Sequence, residues 1–124
     1  MSSVSIQAVS RTFEGRKGQR THALLPVDFE VRDNDFVTIL GPSGCGKSTL
    51  LRIVAGLDHA TSGRVLLDGV PVEGPGADRG MVFQSYTLFP WLTIEQNIRF
   101  GLRERGMLES AQKERAAYFI AKVG

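Results

Sequence analysis

One stretch constrains this chain more than any other: Gly41-Pro42-Ser43-Gly44-Cys45-Gly46-Lys47-Ser48, in which two glycines bracket four residues and are followed by a lysine and a hydroxyl residue. Glycine lets the backbone turn tightly and approach an anion with no Cβ in the way, so successive N–H groups can converge on a phosphate. The flanks fit that use. Phe36-Val37-Thr38-Ile39-Leu40 is apolar without alternation and rich in β-branched residues, which predicts a strand buried on both faces in the centre of a sheet. After the loop, Leu50, Leu51, Ile53, Val54 and Leu57 recur at helical spacing until Gly56 and Asp58, predicting a short buried helix from Lys47. A helix starting there adds its positive dipole end to the loop.

The chemistry this pattern points to is binding of a nucleoside triphosphate, ATP, by Gly41, Pro42, Ser43, Gly44, Cys45, Gly46, Lys47, Ser48 and Thr49. Lys47 places a point charge between the β- and γ-phosphates, which makes it a candidate catalytic residue as well as a binding one. The Ser48 hydroxyl suits Mg²⁺, which prefers oxygen ligands and shares its shell with phosphate oxygens, and Thr49 can hydrogen-bond a further phosphate oxygen. The Cys45 thiol reads as a small filler at a permissive position, because nothing else in the sequence points to redox chemistry.

Elsewhere, Val4, Ile6 and Ala8 alternate with polar residues, as do Val27, Phe29 and Val31, and both runs predict half-buried strands. Glu14 to Thr21 has the composition of the loop joining them, and Asp33-Asn34-Asp35 reads as a turn. Asp68-Gly69, between two short apolar runs, is the dipeptide that most readily forms a tight hairpin. Met81-Val82-Phe83 is a second candidate for the core sheet. Thr93 with Gln96 three residues on is a capping-box pattern, and Ala116, Phe119, Ile120 and Val123 share one stripe of a helix beginning near Ser110, with Glu109 and Lys113 placed to pair.

With 124 residues, 42% of them hydrophobic, the chain is expected to build one domain or part of one. Net charge is only +2, and Arg11, Arg16, Lys17 and Arg20 are mixed with Glu14, so a solvated loop is expected there and no nucleic-acid groove. Cys45 is the only cysteine, which excludes an internal disulfide and any Cys-based metal site and fits a reducing compartment. Met1 to Ser10 lacks the pattern of a secretory signal, and the longest apolar runs are far too short for a membrane span, so a membrane role must come through a partner. His22 and His59 have no metal-ligand spacing and read as surface residues.

The glycine loop and the residues after it together resemble the ATP-binding subunits of ABC transporters. Leu50-Leu51-Arg52-Ile53-Val54-Ala55-Gly56-Leu57, then Thr61-Ser62-Gly63, Asp68-Gly69 and Gly80-Met81-Val82-Phe83-Gln84 continue the family pattern over nearly the whole chain. Leu88-Phe89-Pro90-Trp91-Leu92-Thr93 leading into Asn97-Ile98, together with Ala77-Asp78-Arg79-Gly80, looks most like importers for nitrate, sulfonate, taurine and related small anions. The resemblance implies an α/β fold, a P-loop nucleoside-triphosphatase core with an N-terminal antiparallel β subdomain. It implies that Phe13 stacks on adenine, a role that competes with a core or edge aromatic. It implies that Gln84 of the Q-loop is a catalytic residue that gives its carbonyl oxygen to Mg²⁺ and helps position the attacking water. It also implies partners: a transmembrane permease met through Phe89, Pro90 and Trp91, a second copy of the subunit, and indirectly a substrate-binding protein. Location would be the cytoplasmic face of the membrane.

The family's signature segment, Leu-Ser-Gly-Gly-Gln, and the apolar strand ending in Asp-Glu that polarises water do not occur among these residues. The expectation is therefore that residues 1–124 form the N-terminal part of a nucleotide-binding domain, truncated before the signature, whose full-length parent is an ATPase while this stretch alone is not. Apolar edges are expected to be exposed. Alternatives are a truncated non-catalytic nucleotide-binding fragment, a soluble P-loop kinase or GTPase, which would share the loop and none of the later motifs, and a DNA-repair or chromosome-associated ATPase, against which the aromatic loop speaks.

Overall fold

A computed structural model describes residues 2–124, which fall into two compact units, one ending at Met81 and the other Val82–Gly124. The first contains an antiparallel sheet of β1 (Val4–Glu14), β2 (Arg20–Val31), β3 (Ser62–Leu67) and β4 (Val70–Pro71) in the order β2-β1-β3-β4, with helix α1 (Lys47–Val54). β1 and β2 run further than their alternation suggests, because one turn at Arg16–Gly18, with Lys17 at φ 68°, is enough to reverse the chain. The two turns read from the sequence form locally. Arg32 N–H donates to Asp35 Oδ2 at 2.9 Å while Asp35 N–H donates to the Arg32 carbonyl at 3.1 Å. Asp68 and Gly69 both take positive φ, 51° and 80°, as a tight hairpin between β3 and β4 requires.

Alternation in β1 breaks at Ala8. Pairing runs Val4 to Val31 and Ile6 to Phe29, then shifts before Val9 meets Val27. Ala8 has φ 48° and its N–H donates to Asp28 Oδ1 at 2.7 Å in place of a ladder bond. Such a bulge flips the phase of everything after it. Ala8, expected inward, is exposed, and Val9 is instead wholly buried. Gly63 of β3, at φ 76°, lies against the bulge so closely that a Cβ would collide with the Ala8 carbonyl.

The core of this unit joins Ile6, Val9, Leu24 and Val65 of the sheet to Leu50 and Ile53 of α1. Only one side of α1 is covered, since Leu51 is exposed. Phe36–Leu40 differs from its expectation: among the described residues it pairs with no strand, and Phe36 and Leu40 are 96% and 87% exposed. Apolar runs report a tendency to be buried, but a strand exists only where neighbours take its N–H and C=O groups. Met81-Val82-Phe83 forms no strand either, with Val82 and Phe83 exposed.

The second unit holds helices α2 (Ile94–Glu104) and α3 (Glu109–Val123), which pack on each other. The capping box is complete: Gln96 N–H donates to Thr93 Oγ1 at 3.2 Å and Thr93 N–H to Gln96 Oε1 at 2.9 Å. Of the apolar stripe on α3, Ala116 is wholly buried whereas Phe119 and Val123 are exposed. Glu109 pairs with Lys113 at 3.2 Å, as its spacing predicts, and also with Arg99 of α2 at 3.2 Å.

Gly63→Ala should cost about 2 kcal/mol or more, since it adds a backbone collision to a positive φ; a urea midpoint indistinguishable from the parent's would contradict this. The Lys113 and Arg99 side chains beside Glu109 hold its carboxyl below the usual carboxylate range. With the folded-state pKa lowered, the stabilisation is present above the ordinary glutamate pKa and lost as pH falls through the lowered one. Glu109→Gln should therefore be less stable than the parent near neutral pH and equal to it at about pH 2, and a pH-independent difference would refute the linkage.

Candidate phosphate-binding site

Gly46, the residue before α1, is left-handed at φ 97° and ψ 5° and offers no side-chain cap. A Cβ there would lie 2.5 Å from the Ala23 carbonyl oxygen and 3.1 Å from Leu24 Cδ1, so the loop leaves directly against β2. Only glycine satisfies both the dihedral and the approach. Gly44 is also left-handed, at φ 80°. At Gly41 an added Cβ would come within 2.7 Å of Cys45 Sγ. Cys45 thus sits against the backbone of Gly41 as a small filler, exposed to solvent on its other side.

The charges all have one sign. Lys47 arches back over its own loop, Nζ donating to the Gly41 carbonyl at 2.5 Å and the Pro42 carbonyl at 2.7 Å, with Cys45 Sγ at 3.5 Å. The first turn of α1 carries no acidic residue. The N–H groups of Lys47, Ser48 and Thr49 have no acceptors inside the helix, as for every helix start; Gly46 has no side chain to cap them, and its carbonyl takes the Leu50 N–H at 2.9 Å. Gly41, Pro42, Ser43, Gly44 and Ser48 are exposed, and Thr49 is half-buried. Unpaired donors at the start of α1, the positive helix end and one ammonium lie together on an exposed glycine loop, a combination that suits an anion with several oxygens.

Phe13, near the end of β1, is 43% exposed and no core residue; the Arg11 guanidinium lies 4.5 Å from its ring centroid and pairs with Asp58 at 2.9 Å. Arg11 therefore leaves the solvated basic group expected around it, whereas Arg20 and Glu14 remain exposed partners at 3.5 Å. His22 and His59 are both exposed.

In the second unit, Gln84 lies exposed in irregular backbone. Phe89 and Trp91 pack as tilted rings 5.3 Å apart, and Phe89 also meets Phe100 at 4.7 Å; Phe89 is half-buried and Trp91 75% exposed. Pro90 is exposed beside them. Asn97 entered the sequence pattern with no role assigned to it, yet its amide bonds four backbone groups of this loop. An Asn just inside a helix that comes after a Pro-containing loop was the available signal, since short polar side chains there bond backward to backbone.

Comparison with known proteins fits this geometry. The family model described as ABC transporter matches residues 24–124. An ABC transporter ATP-binding protein of Methanocaldococcus jannaschii is 51% identical over 121 residues, 98% of this chain and 45% of that protein. The nitrate import ATP-binding protein NrtD of Synechocystis is 46% identical across 98% of this chain and 45% of its own length. The taurine import ATP-binding protein TauB of Burkholderia pseudomallei is 50% identical across 94% and 44%. Among solved structures, the dimeric ATP-binding cassette MJ0796 bound to ADP and Pi superposes with a TM-score of 0.81 at 31% identity, covering 93% of this chain and 54% of the cassette. This chain belongs to the ABC transporter family and has the fold of its ATP-binding cassettes. It spans a little under half the length of the curated relatives it matches.

Gly46→Ala should abolish measurable nucleotide binding while also lowering stability, because the new Cβ can be relieved only by moving the loop off β2. Binding of a fluorescent ATP analogue at parental affinity would show that the loop does not depend on that contact.

Proposed function

We propose that these residues are the nucleotide-holding part of the energy-coupling ATPase subunit of an ABC importer, one that moves a small anion such as nitrate, sulfonate or taurine. The observation that carries the reading is the loop itself: Gly46 locked against β2, Lys47 over the loop and free donors at the start of α1. The small-anion class is supported by the relatives named for nitrate and taurine import.

In this reading the N–H groups of Gly44 to Thr49 and the Lys47 ammonium hold the β- and γ-phosphates of ATP, and Phe13 offers its free ring face to adenine. Ser48 and Gln84 supply neutral oxygens of the kind Mg²⁺ accepts; Gln84 is assigned by its motif alone. The ion, when bound, neutralises phosphate charge during transfer to water.

The partners belong to the same reading: a permease meeting the Trp91 loop at the cytoplasmic face of the membrane, a substrate-binding protein beyond it, and a second copy, as in the dimeric cassette. Among the described residues no helix is long and apolar enough to cross a membrane. Residues 1–124 hold phosphate-binding groups but neither a signature segment nor an Asp-Glu strand end, so alone they act as a nucleotide-binding, non-hydrolytic piece.

Lys47→Ala should weaken binding of a fluorescent ATP analogue about tenfold or more, the loss expected for a charge-assisted contact. Affinity within about twofold of the parent would overturn the assignment. Phosphate release from Mg-ATP by the 124-residue chain should stay at background; turnover above background that Lys47→Ala abolishes would point to a catalytic group within these residues.

A further inference from the structure

The aromatic loop has little backbone bonding of its own. Leu92 N–H donates to the Phe89 carbonyl at 3.1 Å, closing a tight turn, and Pro90 inside it has no N–H to give. One side chain supplies the rest of its hydrogen bonding. Asn97, in the first turn or so of α2, accepts the Phe89 N–H on Oδ1 at 2.8 Å. Its Nδ2 lies 3.2 Å from the Phe89 carbonyl, 3.1 Å from that of Leu92 and 2.9 Å from that of Thr93. Both ends of the turn and the helix cap are thus tied to a single amide, whose two N–H groups are shared among three acceptors.

We infer that Asn97 is a positioning residue whose amide clamps the turn Phe89–Leu92 so that Trp91 is presented, outward and packed against Phe89, to a transmembrane partner. This rests on the reading of that loop as the permease contact. Helix stability alone does not explain the residue: Asn forms helix less well than Ala, and its side-chain bonds run out of α2 into the preceding loop. Without the clamp, the Phe89 N–H loses its partner and the turn is free to open. Trp91 would then have to be ordered at the moment of docking, and that ordering weakens association.

Two variants test this. Asn97→Ala removes all four contacts, while Asn97→Asp keeps the shape and the acceptor but sets a carboxylate against three carbonyl oxygens. Trp91 is the only tryptophan of the chain, so its fluorescence anisotropy reads the loop directly. Both variants should keep the helical circular dichroism of the parent and lower Trp91 anisotropy. In the full-length subunit both should reduce permease co-purification by about fivefold, the equivalent of roughly one net hydrogen bond, with ATP-analogue affinity unchanged. Parental anisotropy in both variants overturns the inference, and so does loss of helical signal in both, which would place the role of Asn97 in α2 itself. Trp91→Ala, run alongside, separates the two readings. If it leaves co-purification intact, the docking assignment fails and the clamp is judged on anisotropy. If it weakens assembly while the Asn97 variants do not, the clamp fails and docking stands.

Discussion

The phosphate loop is held in place by the two side chains its helix drives into the antiparallel sheet. Leu50 and Ile53 are each 4% exposed among Ile6, Val9, Leu24 and Val65, and burial of such a side chain contributes about 1.5–3 kcal/mol. Phe36–Leu40, which leads into the loop, makes no strand pairing that could fix it. Position is therefore set from the helix side and by the close approach of Gly46 to the Ala23 carbonyl. A change in this core displaces the glycine loop as well as lowering stability, because the same α1 carries Lys47 at its first turn and Leu50 at its next.

The antiparallel sheet depends in turn on a defect. The bulge at Ala8 shifts the inward face of β1 from Ala8 to Val9, and Val9 is the most deeply buried side chain of the unit. Asp28 holds the bulge from β2 and Gly63 makes room for it on β3. Three strands thus agree on one irregular residue. Because a bulge re-registers every later residue of its strand, the pairing of Ser10 with Ser62 and the place of Arg11 near Asp58 both descend from it.

What could be read from the sequence was what its own neighbours decide. The Asp68-Gly69 turn, the Thr93 to Gln96 capping box and the Glu109 to Lys113 pair are each settled within a few residues, and each is present. Phe36–Leu40 and Met81-Val82-Phe83 needed distant partners, and apolar composition says nothing about whether those partners are in reach. The Ala8 bulge was hidden for the same reason, since its cause is Asp28 on another strand. At the site, the glycine pattern was legible because phosphate binding needs bare backbone at fixed spacing, while the bonds of Asn97 to a loop eight residues earlier left only a faint signal.

Lys47 shows how the loop can be both ordered and receptive. Its ammonium bonds the Gly41 and Pro42 carbonyls, neutral acceptors on the strand side of the loop, and so ties the two ends of the glycine turn together. A phosphate oxygen carries charge, so its Coulomb attraction to the ammonium exceeds that of a carbonyl dipole. In the proposed reading, exchange of one carbonyl for phosphate is therefore favourable, and the ammonium has three donors, enough to keep the other. In that reading the loop carbonyls act as placeholders that hold the side chain near the anion's site, which reduces the ordering that binding has to impose. The left-handed Gly46 matters for the same reason: with the start of α1 fixed on β2, the N–H groups and the ammonium are presented from one frame.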